Sequence, residues 1–172
     1  MADVAARARR ALERPEHVEP RAILHGYRRA LRLWYTPALE PCRSWTAFVH
    51  SKQSKVVSRA VVWDRPRDRQ RIDDALLESG PPPRIEPTLF VADGLVANVE
   101  FDLLLDLASR LRLPLVGFRR PTGGDADLRG VSFDIGVCSS SFEWRGADPD
   151  SWAPLMEWTD RMRAALQRAI DG

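Results

Sequence analysis

This 172-residue chain has little cysteine and almost no lysine, and it lacks any long apolar run. Two cysteines, Cys42 and Cys138, make no disulfide framework in a chain long enough to build its own core. Free thiols are the expectation, although spacing alone leaves a Cys42–Cys138 pair open. The only lysines are Lys52 and Lys55, so 24 of the 26 basic residues are arginine. They run through the whole chain rather than one segment, as an arginine-biased coding sequence would give. No stretch reaches the roughly 20 apolar residues of a membrane span. The richest, 101–113, is broken by Asp102, Asp106, Arg110 and Arg112. The first twelve residues carry arginines with no apolar segment behind them, unlike a secretory leader. A cytoplasmic protein, with no membrane partner, is therefore expected.

Most reaction centres are missing too. Gly123-Gly124 is followed by acid rather than Lys-Ser or Lys-Thr, so there is no phosphate-binding loop of the Walker type. No GxGxxG, GxSxG or HExxH occurs. His17, His25 and His50 have no second ligand at i, i+4, so no metal is expected. Asp125 to Gly130 opens like a calcium loop, but Arg129 and Gly136 stand where oxygen ligands belong. Cys42 has His50 nearby in sequence, but an extended strand would hold them about 27 Å apart. Acid pairs such as Asp73-Asp74, Asp102 with Asp106, and Asp148 with Asp150 fall where solvated faces and helix starts want acid. Neither catalytic residues nor a cofactor are predicted.

What is present is a well-patterned core and turn chemistry. Net charge +2 and 44% hydrophobic residues describe one globular domain. Residues 1–36 read as a helical segment in two pieces, broken at Pro15. The second carries Ile23, Tyr27, Ala30, Leu31 and Trp34 on one face, with Arg21, His25, Arg28, Arg29 and Arg32 opposite. Residues 44–96 read as strands. A hairpin joins 44–51 to 56–63, a charge-dense stretch at 64–74 is loop or short helix, and a proline-rich connector covers 79–87. Thr88 to Val96 is a further strand, unless Asp93-Gly94 turns it into a tight hairpin. A helix over 98–113 follows, capped by Asn98, with Val99, Leu103, Leu104, Leu107 and Leu111 at helical spacing. Residues 114–145 hold more strands, including 115–118. A C-terminal helix over 149–170, capped by Asp148, bears Trp152, Leu155, Met156, Thr159, Met162 and Leu166 as one stripe. Strand runs adjacent in sequence predict an α+β fold, a mainly antiparallel or mixed sheet with helices packed on it.

Two features point outward. Arg65, Arg67, Arg69 and Arg71 would share one face of an extended segment, making a four-arginine ridge; in a helix they would scatter. Six tryptophans are many for this length. Trp144 and Trp158 are candidate interface anchors, Trp158 lying about 120° from the Trp152 and Leu155 face. Core packing of a wide apolar stripe is the alternative reading of Trp158.

The pattern from Val131 onward sets two strands, the second ending Phe142-Glu143-Trp144, before a proline and a helix with Trp152, Leu155 and Trp158. It resembles uncharacterised small bacterial α+β proteins of the immunity-protein type, as does the segment Val61 to Asp74. The resemblance implies a small intracellular protein that acts by binding and carries no catalytic residues across. The leading expectation is a non-catalytic protein-binding protein: an immunity or inhibitor protein, or an accessory subunit of a bacterial multi-protein system. One alternative is a nucleic-acid-associated protein using Arg21, Arg28, Arg29 and Arg32. Another is a small enzyme whose site is assembled from distant residues.

Overall fold

The computed structural model describes residues 2–19, 24–77, 84–112, 127–135, 138–145 and 152–172. Within them lies an α+β domain built on one six-stranded antiparallel sheet. In chain order the elements are α1 (Ala2–Glu13), a 3-10 turn (Pro15–His17), β1 (Tyr27–Thr36), β2 (Cys42–His50), β3 (Val56–Trp63) and α2 (Arg65–Leu77). Then come β4 (Leu89–Val96), α3 (Asn98–Ser109), β5 (Leu128–Ile135), β6 (Cys138–Arg145) and α4 (Ala153–Asp171). The strand order is β4-β3-β2-β1-β5-β6, so the chain leaves one edge after β4 and returns beside β1.

The largest departure from the sequence reading is the second N-terminal helix. Residues 27–36 form β1, a central strand between β2 and β5. Two periods coexist there. Leu31, Leu33 and Tyr35 alternate with Arg32, Trp34 and Thr36 as a strand requires, and sheet burial of Leu31 and Leu33 decides the outcome. The first N-terminal piece is helical as expected, α1 burying Val4, Ala8 and Leu12 at i, i+4, i+8.

Other boundaries move less. The stretch 64–74 resolves into α2, so residues 44–96 contain a helix as well as three strands. Residues 84–87 of the proline-rich connector have no regular structure, and 79–83 lie outside the described residues; the strand expected from Thr88 starts at Leu89. Asp93 and Gly94 sit in the middle of β4, not in a turn. Ala97, not Asn98, caps α3, which ends at Ser109; the Asn98 amide instead donates to the Ser54 carbonyl. The expected strand at 115–118 and the expected cap Asp148 fall outside the described residues. The C-terminal helix is α4, with Pro154 in its first turn.

The sheet is covered on both faces. On one, α3 and α4 close over Leu31, Leu33, Trp45, Ala47, Ala60 and Val131. On the other, α1 lies over Cys42, Val61 and Trp63. Gly94 permits the close approach of α4 to β4: a Cβ there would stand 1.8 Å from the Ala169 carbonyl oxygen. No helix among the described residues is long and apolar enough to cross a membrane.

Candidate interface surfaces

The helix α2 is set by its own acids. The Asp64 carboxylate accepts from the Arg67 backbone N–H at 3.2 Å, satisfying a donor of the first turn. Asp68, one turn on, is buried and gathers four donor groups. The Trp63 indole and the Thr88 backbone N–H each donate to it at 2.8 Å, the Thr88 hydroxyl at 2.7 Å and Arg71 at 3.2 Å. Burial pushes the Asp68 carboxyl up, but the hydrogen bonds from Thr88, Trp63 and Arg71 outweigh it and hold the pKa below its ordinary value. This carboxylate therefore ties α2 to the end of β3 and to the segment entering β4.

Because residues 65–77 are helical, the four-arginine ridge does not form. At about 100° per residue the four guanidiniums diverge. Arg65 turns back to the Pro37 and Ala38 carbonyls. Arg71 is spent on Asp68, the Glu86 carbonyl and the Thr88 hydroxyl. Arg67 and Arg69 are exposed, and their side chains make no hydrogen bond or ion pair among the described residues. Arg65 and Arg69, four apart, share a helix face, and that face borders a groove between α1 and α2. The groove encloses about 920 Å³ and is mostly apolar. Val4 and Ala5 of α1, Leu39, Trp63, Pro66 and Ile72 line it, with Arg65, Arg69 and Asp73 around them. Leu39 is 80% exposed, and Leu76, one turn beyond Ile72, is 68% exposed.

The two tryptophans part company. Trp158 is buried, donates its indole N–H to the Leu104 carbonyl at 2.6 Å and lies against Phe133, so it is core and not an anchor. Trp144 is half-buried against Trp152, with ring centroids 6.4 Å apart.

The arginines of the expected helical stripe are dispersed by the strand. Arg21 lies outside the described residues. Arg28 is exposed and points to the α3 side of the sheet, where it borders the space beneath α3. Arg29 faces the other way, ion-paired with Asp134 at 2.5 Å and bonded to the Glu13 carbonyl at 3.0 Å. Arg32 stacks 4.5 Å over the Trp34 ring and reaches the Leu12 carbonyl. Burial and then the neighbouring Arg29 lower the Arg32 pKa.

Both thiols are free, Cys42 buried and Cys138 exposed. Burial raises the Cys42 pKa, against the opposing pull of Arg65 and Arg9. His50 sits at the far end of β2, its Nδ1 accepting from the Lys52 and Gln53 backbone N–H groups. Asp127, from the calcium-loop-like stretch, accepts instead from the Tyr35 hydroxyl at 2.6 Å. Among the described residues no three His, Cys, Asp or Glu side chains converge as metal ligands.

Sequence reasoning passed over the groove-lining residues. One signal was available: Leu39 is an apolar residue between Pro37 and Pro41, in a stretch with no partner strand. A second apolar surface was masked by its own periodicity. Val99, Leu103 and Leu107 of α3 were expected inside but form an outer ridge, exposed by 84%, 59% and 37%. Comparison with known proteins adds nothing further: no family model, no curated protein and no solved structure matches this chain.

Proposed function

We propose that this is a non-catalytic protein-binding protein, an inhibitor or immunity protein or an accessory subunit, and that the α1–α2 groove receives its partner. The observation that carries the reading is the combination of a concave apolar floor with a charged margin. That is the anatomy of a protein interface, an apolar centre inside a polar rim. Exposed Leu39 and Leu76 extend the apolar surface beyond the groove, where a monomer gains nothing from them. A partner segment presenting two or three apolar side chains, such as one face of an amphipathic helix, fits this shape.

The test is co-purification with the products of neighbouring genes, using the full chain and surface variants. Leu39→Glu and Arg69→Glu change exposed residues and leave folding intact. Leu103→Glu on α3 is the control. A stoichiometric protein that survives a salt wash on wild type and on Leu103→Glu, but is lost from Leu39→Glu and Arg69→Glu, supports the groove. A partner retained by the groove variants and lost from Leu103→Glu moves the interface to α3. Nucleic acid that leaves with salt, read by absorbance at 260 nm, overturns the protein-binding reading in favour of phosphate contacts.

A further inference from the structure

On the α4 side of the sheet, four strands place four residues side by side. Arg43 of β2 is opposite Tyr35 of β1, Tyr35 is opposite Arg129 of β5, and Arg129 is opposite Trp144 of β6. The row therefore alternates cation and ring. It lies one pleat beyond the row Trp45, Leu33, Val131 and Phe142, which joins the core against α4. Where the sheet runs past α4, a cleft of about 200 Å³ opens, walled by this outer row, by Trp45 and by Arg163 of α4.

Three arginines, Arg43, Arg129 and Arg163, line the cleft against two acids, Glu40 and Asp160. The Arg129 guanidinium lies 5.2 Å over the Tyr35 ring, and that of Arg163 lies 5.8 Å over Trp45. A guanidinium stacked on a ring face keeps its N–H edge open for hydrogen bonds in the plane. The side chains of Arg43 and Arg129 make no hydrogen bond or ion pair among the described residues. The Trp144 ring lines the cleft, while its indole nitrogen is shielded and has no acceptor among the described residues. The acceptors nearby are mostly engaged. Asp160 is paired with Arg163 at 3.2 Å, and the Tyr35 hydroxyl is committed to Asp127. Glu40 also lines the cleft but is exposed.

We propose that this cleft binds a small planar carboxylate, with the acid group held by Arg129 and Arg43 and the flat body between the aromatic walls. Spare donors need a ligand that brings acceptors. A guanidinium is a donor only, and it matches a carboxylate in shape as well as charge. Aromatic walls favour a flat body. The volume equals about seven water molecules, enough for a single-ring acid. The site lies across the sheet from the α1–α2 groove and does not depend on it.

The test uses the full chain, labelled with nitrogen-15, and follows its six tryptophan indole signals by NMR. Trp144→Phe identifies the Trp144 signal. Benzoate is titrated alongside benzamidine, the cation of the same shape, and benzyl alcohol, the neutral one. Saturable movement of the Trp144 signal by benzoate alone is expected. Arg129→Gln, at a half-exposed position, should keep a dispersed spectrum and weaken benzoate about tenfold or more. No movement at about 10 mM benzoate, ten times a millimolar Kd, overturns the proposal. So does equal movement with benzamidine or benzyl alcohol, or undiminished benzoate binding by Arg129→Gln.

Discussion

Arg59 of β3 and Asp93 of β4 stand directly opposite each other and close a two-point ion pair, at 2.7 and 2.9 Å, with Arg59 wholly buried. The same guanidinium donates to the Pro15 and Val18 carbonyls at 3.1 and 3.0 Å, so one side chain joins the sheet to the turn after α1. Removing one member of a buried pair strands the other charge, at a cost of about 3–5 kcal/mol. Arg59→Met should lose that much in urea unfolding at neutral pH. Arg59→Met combined with Asp93→Leu should recover a large part of it, since no charge is then left behind. A single-variant loss under about 1 kcal/mol would show that the pair does not carry this junction.

Gly94 is the residue on which α4 rests. Gly94→Ala places a methyl into the Ala169 backbone carbonyl, which no side-chain rotation relieves. The end of α4 must lift, and a loss of about 1–3 kcal/mol is expected by thermal or urea unfolding. An unchanged midpoint would mean that α4 stands farther from β4.

Asp68 should make stability depend on acid. Its folded pKa lies below the unfolded value, so its contribution is complete above that unfolded value and is lost as pH falls through the folded one. Asp68→Asn should cost about 1–3 kcal/mol at neutral pH. The gap between wild type and Asp68→Asn should narrow as pH drops from about 5 to about 2. A gap independent of pH over that range would remove the charged carboxylate from the account.

Trp158 offers a direct separation of core from interface. Trp158→Phe keeps most of the ring but leaves the Leu104 carbonyl without its donor. Stability should fall by about 1–3 kcal/mol. Partner capture, corrected for the folded fraction, should be unchanged. Loss of capture with full stability would restore Trp158 as an anchor.

Much of the fold was legible. Trp152 at the N-cap of α4 and Leu155, Met162 and Leu166 within it are all buried, as their spacing implied. The β2–β3 hairpin and β4 follow the alternation and turn residues. Legibility failed where one segment supports two patterns. Residues 27–36 suit a helix at Tyr27, Ala30, Leu31 and Trp34 and a strand at Leu31, Leu33 and Tyr35, and only partners on both sides select the strand. In α3 the apolar residues cover two faces. Spacing identified a helix but not that Phe101 and Leu104 turn inward while Val99 and Leu103 face out.

The candidate sites were less legible still. Arg65 to Arg71 stood out by number, yet helix geometry divides them between groove, solvent and Asp68. By itself the sequence determined the α+β class, the position of most elements and the core stripe of α4, because local periodicity and burial act along the chain. Only the tertiary structure decided that Arg43, Tyr35, Arg129 and Trp144 form one row and that Val4 and Ile72 share one groove. Those neighbours come from strand register and helix placement, which depend on contacts between residues far apart in the chain.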